Sequence, residues 1–167
     1  FDLAYQQMTK AAKLRENDPT LIYHLGLIAQ AQQKLELAAR HYRECLEIVA
    51  NHPLAAGNLA SMEITSGRLK AAEEILQPLI AEGPENSTNR YNYASVLLGL
   101  QDYERALEQL QILKGQFPKD YLVRAKLAWC LHELGQTSPA KSEFREAQSR
   151  NPRHPLILFV EGKLSSS

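Results

Sequence analysis

Residues 19–52 read PTLIYHLGLIAQAQQKLELAARHYRECLEIVANH, and the apolar spacing in this stretch decides the fold. Ile22, Leu25 and Ile28/Ala29 recur at three and four residues, the spacing of one helix face. Leu35, Ala38/Ala39, Tyr42 and Cys45/Leu46 do the same after a short polar interval. Asp18-Pro19 reads as an N-cap followed by a first-turn proline. The stretch is therefore a helix, a turn near Gln33 and a second helix. Gly26 lets the two helices approach closely, because no side chain stands in the way. One such hairpin cannot bury its apolar face alone, but stacked hairpins can.

Working outward, the hairpin repeats. Ala4, Ala38, Ala72, Ala106 and Ala140 fall at 34-residue steps, although only 20 of 167 residues are alanine. Pro84, Pro118 and Pro152 keep the same step. So do the columns Leu25, Leu59, Tyr93, Leu127 and Gly26, Ala60, Ala94, Ala128, Gly162. Two more read Phe1, Leu35, Leu69, Tyr103 and Met8, Tyr42, Leu76, Leu110, Phe144. Gly67, Gly135, Gln33 and Gln101 occupy the mid-repeat turns, and His52-Pro53 and Ser138-Pro139 echo the capping device. Ten helices are expected, over 1–16, 19–32, 35–50, 53–66, 69–82, 87–100, 103–116, 121–134, 138–150 and 155–163. Whole repeats then occupy 19–52, 53–86, 87–120 and 121–154. Residues 1–18 form the second helix of a truncated repeat. Residues 155–167 form the first helix of a following repeat, or a capping helix with a tail. Ala50 and Glu16 replace the closing proline, so the second helices there should run longer. Pro78 should bend its helix, since it removes a donor and crowds the carbonyl of Glu74.

Composition points the same way. The chain holds 26 Leu and 20 Ala against 8 Ile and 4 Val, which favours an all-α protein over a sandwich or barrel. Lys+Arg and Asp+Glu are both 19, so the formal net charge is zero. Nucleic-acid and anionic-membrane surfaces rely on concentrated positive charge and are disfavoured. No apolar run approaches the length of a membrane span. The start at Phe1 reads as an excerpt from a longer protein, and the compartment stays open, cytoplasm or periplasm being the expectation for a soluble array.

The period of 34, the Leu-Gly or Leu-Ala pair, the buried alanine, the large apolar residue four later and the closing proline resemble the tetratricopeptide repeat family over the whole chain. The resemblance implies a right-handed superhelical solenoid of antiparallel helix pairs. It also implies a concave groove, lined by the first helix of each repeat, that holds extended peptides or helices. Carried over by position, the groove residues are Tyr23, His24 and Leu27, then Asn58 and Ser61, then Tyr91, Asn92 and Ser95, then Lys126 and Trp129. Thr20, Gln30, Leu54, Thr65, Thr88, Leu98, Leu122 and Glu133 complete the lining. Asn58 and Asn92 lie one repeat apart, and an amide can pair with the backbone of an extended peptide. Tyr23, Tyr91 and Trp129 add amphipathic contact area. A clamp for a partner's C-terminal carboxylate, known in co-chaperone members, is not expected, because the equivalent positions lack its positive charges.

Catalytic chemistry is not apparent. His24, His41, His52, His132 and His154 are dispersed, and His41 with Cys45 would supply only two metal ligands. Cys45 and Cys130 read as buried small hydrophobes. No phosphate-binding loop or serine elbow occurs. Asn86-Ser87-Thr88 matches a glycosylation acceptor, but helix capping explains it equally. The reading is a non-enzymatic protein-interaction scaffold, without cofactor, metal or nucleic acid, that binds a protein or peptide. Its alternatives are a repeat region serving a larger transferase or an exopolysaccharide or secretion assembly, and a scaffold that self-associates through its open terminal repeats.

Overall fold

The computed structural model describes residues 8, 10, 17–82 and 86–165, which contain nine α-helices and no strand. In chain order these are α1 (Pro19–Ala31), α2 (Leu35–Ile48), α3 (Pro53–Thr65), α4 (Leu69–Glu82), α5 (Ser87–Gly99), α6 (Tyr103–Gln116), α7 (Tyr121–Glu133), α8 (Thr137–Arg150) and α9 (Pro155–Ser165). The helix expected over 1–16 lies outside the described residues, apart from Met8 and Lys10, which are helical. The other nine expected helices are present, with ends shifted by two residues at most. The chain forms two compact units that divide between Asn86 and Ser87. In the first, α1 packs on α2, α3 on α4, and α2 on α3. In the second, α5 packs on α6, α7 on α8, and α6 on α7, while α9 packs on both α7 and α8.

The columns that carry the repeat are the cores of these units. Ala38, Ala72, Ala106 and Ala140 have no exposed surface, and Leu25, Leu59, Tyr93 and Leu127 are buried beside them. A Cβ on Gly26 would stand 2.5 Å from the Tyr42 ring, so the close approach of α1 and α2 demands glycine there. Gly162 meets nothing within 4 Å, so the expectation of a close approach fails at that member of the column.

The mid-repeat turn recurs four times. Gln33, Gly67, Gln101 and Gly135 all adopt positive φ, between 61° and 73°. The next backbone N–H, of Lys34, Arg68, Asp102 and Gln136, donates to the carbonyl of Ala29, Glu63, Leu97 and Leu131 respectively. This is the Schellman arrangement, which satisfies the last carbonyls of each first helix.

Between repeats, N-caps hold the chain. Asp18 Oδ1 accepts from the Thr20 and Leu21 N–H groups, and Asp120 Oδ1 from those of Leu122 and Val123. His52 Nδ1 accepts from Ala55 N–H, and His154 Nδ1 from Leu156 N–H. These two histidines share one column, three repeats apart, and cap as unprotonated nitrogens.

Two local expectations fail. The helix before Ala50 is no longer than its equivalents, because α2, α4, α6 and α8 all have 14 residues. Val49 turns extended and its carbonyl accepts from His52 N–H. Phe117 accepts from Asp120, and Asn151 from His154, in the same way. The turn, rather than the proline, therefore ends the helix. Ser138 is not an N-cap either: α8 starts at Thr137, its cap Gln136 makes no side-chain bond, and Pro139 sits in the first turn, where its missing donor is harmless. Helix α4 continues through Pro78.

Candidate functional site

The first helices of the first unit are α1 and α3, and their polar side chains are largely spoken for. Tyr23 is half-buried, with ring centroids 5.4 Å from His24, 6.0 Å from Tyr42 and 5.4 Å from His52. Asn58 Nδ2 donates to the hydroxyls of Tyr42 at 3.3 Å and Tyr23 at 3.5 Å. The Tyr42 hydroxyl donates to Gln30 Oε1 at 2.6 Å. Burial, foremost, pushes the Tyr42 phenol up to about 12, so it stays a neutral donor. His24 Nδ1 donates to the Thr20 carbonyl at 2.7 Å. Leu27 is packed against the core, and Ser61 is exposed.

The second unit differs. Asn92 is half-buried, and its side-chain amide makes no hydrogen bond among the described residues. On the same helix, Ser95 Oγ donates to the Tyr91 carbonyl at 2.7 Å, so its hydroxyl is satisfied locally. From α7, Lys126 Nζ lies 5.0 Å above the Tyr91 ring, a cation–π contact. Burial lowers the Lys126 amine to about 8 and raises the Tyr91 phenol to about 12. Trp129 Nε1 donates to Glu133 Oε1 at 2.9 Å. The Trp129 ring meets Phe159 of α9 edge to face, 5.0 Å between centroids, and Lys163 Nζ stands 5.6 Å from both rings. Lys163 also bonds Glu133 and holds that carboxyl below its usual range. A hollow of about 290 Å³, lined by Thr88, Tyr91, Phe117 and Leu122 among others, adjoins this face. Leu98, expected to line a groove, is 1 % exposed and belongs to the core.

Four participants escape the sequence reading. Tyr42 reads in the sequence as a core-column residue, yet its hydroxyl organises the first unit's polar network. Phe159 and Lys163 belong with Trp129; the signal was there, since Tyr23, Tyr91 and Phe159 fall at steps of 68. Glu63 stands in the column of Ala29, Leu97 and Leu131, and a charge among core residues marks a special pairing.

No group of three or more His, Cys, Asp or Glu suited to a metal occurs among the described residues. Cys45 and Cys130 are buried free thiols whose Sγ–H groups reach the carbonyls of Pro19 and Tyr103. Burial pushes both thiols up, Cys130 to about 12, away from thiolate chemistry. No described helix is long and apolar enough to cross a membrane.

Comparisons with known proteins agree with this architecture. Tetratricopeptide repeat family profiles match residues 29–88, 63–120 and 123–154. Human tetratricopeptide repeat protein 8 is 28% identical over 112 residues, which is 65% of this chain and 21% of that protein. The chain thus spans about a fifth of its curated relative's length. Among solved structures, YrrB, described as a TPR protein with an unusual peptide-binding site, superposes with a TM-score of 0.83 at 22% identity, covering 95% of this chain and 82% of that one. MamA from Desulfovibrio magneticus RS-1 superposes with a TM-score of 0.76 at 17% identity, covering 92% and 87% of the two chains. Repeat profiles that take in well over half of the sequence, on a fold of stacked helix pairs, establish that this chain is a member of the tetratricopeptide repeat family.

Proposed function

We propose that the chain is a protein-interaction scaffold that holds an extended segment of a partner protein against the first helices of its repeats, without catalysis of its own. The observation that carries this reading is the uncommitted Asn92 amide beside Tyr91, with Lys126 and Trp129 on the neighbouring helix. A half-buried amide offers two donors and an acceptor to a peptide backbone. Flanking aromatics supply rigid apolar area of the kind that dominates interface energetics. Ser95 adds to this face of the second unit, and in the first unit Tyr23, His24, Leu27, Asn58 and Ser61 form the corresponding face, as supporting contacts rather than anchors. YrrB, whose structure is described as having a peptide-binding site, lends support by likeness of fold.

The test is selection of displayed peptides from a library lacking Asp and Glu, followed by calorimetry against variants. Tyr91→Ala, Asn92→Ala and Trp129→Ala should each weaken the selected peptide by about tenfold, the loss of one anchoring contact. Unchanged affinity in all three would refute the reading.

A second reading has its own observation. Leu158 and Phe159 on α9 are 53% and 46% exposed, and a further repeat or a second copy of the chain would cover them. A concentration-independent monomer in sedimentation would dispose of self-association.

A further inference from the structure

In the first unit, Glu63 is a carboxylate in a core position, 3% exposed, and two arginines hold it. Arg43 Nη2 of α2 donates to Oε1 at 3.0 Å, and Arg68 Nε, from the turn before α4, donates to Oε2. A buried carboxylate must be paired, which explains one arginine. Both arginine side chains are more than half exposed, and among the described residues each spends one N–H on Glu63 and makes no other polar contact. A guanidinium carries five donors in a rigid fork, so the pair presents several fixed, unused N–H groups with a net positive charge.

These groups line a hollow of about 380 Å³ whose other walls include Leu35, Ala39, Met62 and Ser61. The hollow is larger than an inorganic anion needs, and its apolar walls suit a ligand that brings carbon next to its charge. On its other side, Arg43 borders a hollow that carries Glu47 and Glu74, which would repel an anion. Glu36 is the one carboxylate on the lip of the first hollow besides Glu63, and it is exposed.

We propose that this hollow is a second binding site, which takes an Asp or Glu side chain of an acidic partner peptide between Arg43 and Arg68, with the neighbouring apolar residue on Leu35 and Met62. Glu63 is the positioning residue: it fixes the two guanidinium groups before the ligand arrives, so less ordering is lost on binding. The site uses none of the anchors Tyr91, Asn92, Lys126 and Trp129, and shares only Ser61 with the supporting contacts named above.

The probe is acetyl-Leu-Glu-Leu-Glu-Leu-amide, titrated calorimetrically into the chain. Its Gln counterpart should bind about tenfold more weakly, as loss of a charge-assisted bond implies. Arg43→Gln and Arg68→Gln should each cost about tenfold, and affinity should fall with added salt. Glu36→Lys, an exposed change remote from the core, should tighten binding about threefold. Equal binding of the Glu and Gln peptides, or indifference to both the arginine changes and Glu36→Lys, overturns the proposal. The Gln peptide with a free C-terminal carboxylate provides the other arm. If it binds as the Glu peptide should and the amidated Glu peptide does not, a chain terminus is the ligand and the side-chain assignment fails.

Discussion

Asn58 and Asn92 occupy the same position one repeat apart, yet they live in opposite circumstances. Asn58 gives its amide hydrogens to two tyrosine hydroxyls, while Asn92 has no partner among the described residues. The sequence around the column supplies the reason. Tyr42 and Tyr23 bring hydroxyls to Asn58, and one step on those columns hold Leu76 and Gly57, which offer none. One repeat position can thus be spent on packing in one unit and left uncommitted in the next. What the first unit offers instead is charge, at Arg43 and Arg68.

The comparison breaks most readily at Gly26. Gly26→Ala drives a methyl into the Tyr42 ring, and overpacking of this kind should cost about 1–3 kcal/mol in urea unfolding. Asn58→Ala should follow at about 1–2 kcal/mol, because it strips bonds from two hydroxyls, whereas Asn92→Ala should stay within about 0.5 kcal/mol. Equal costs at the two positions would erase the distinction.

Lys126 sharpens the second half. Its amine titrates near 8 when folded, against 10.5 in the unperturbed residue. Between those values the unfolded chain keeps a proton that the folded chain has released, so stability rises with pH across that window. Above about 10 the raised phenols of Tyr42 and Tyr91 act in the opposite sense, favouring the folded state only while they stay protonated. Lys126→Met should stabilise the protein at pH 7 by about 1–2 kcal/mol, the burial penalty being offset in part by the Tyr91 ring. It should also abolish the rise between pH 8 and 10, which pH-dependent unfolding would record. The smallest effect belongs to the turns. Gln33→Gly and Gln101→Gly relieve a left-handed backbone and should each add about 0.5 kcal/mol to unfolding stability.

The buried alanine and leucine columns and the places of the mid-repeat turns were legible in the sequence, because helix faces and turns are set by residues a few positions apart, and the step of 34 simply repeats them. The caps were legible at Asp18 and His52 but misleading at Ser138-Pro139, where a first-turn proline fits equally well two residues inside the helix. The site was legible only as a list of positions. Nothing local to Asn58 announces that Tyr42, 16 residues earlier, satisfies it. Phe159 lies 30 residues from Trp129 and completes its surroundings. Such pairings are decided by which helices pack, and a helical period cannot state them.

The most direct measurement follows the side-chain amide signals of Asn58 and Asn92 by nuclear magnetic resonance while a selected, uncharged peptide is titrated in. The account predicts that the Asn92 signals move in saturable fashion and that those of Asn58 stay in place. Movement at Asn58 with Asn92 unaffected, or saturation of binding with neither disturbed, would contradict it.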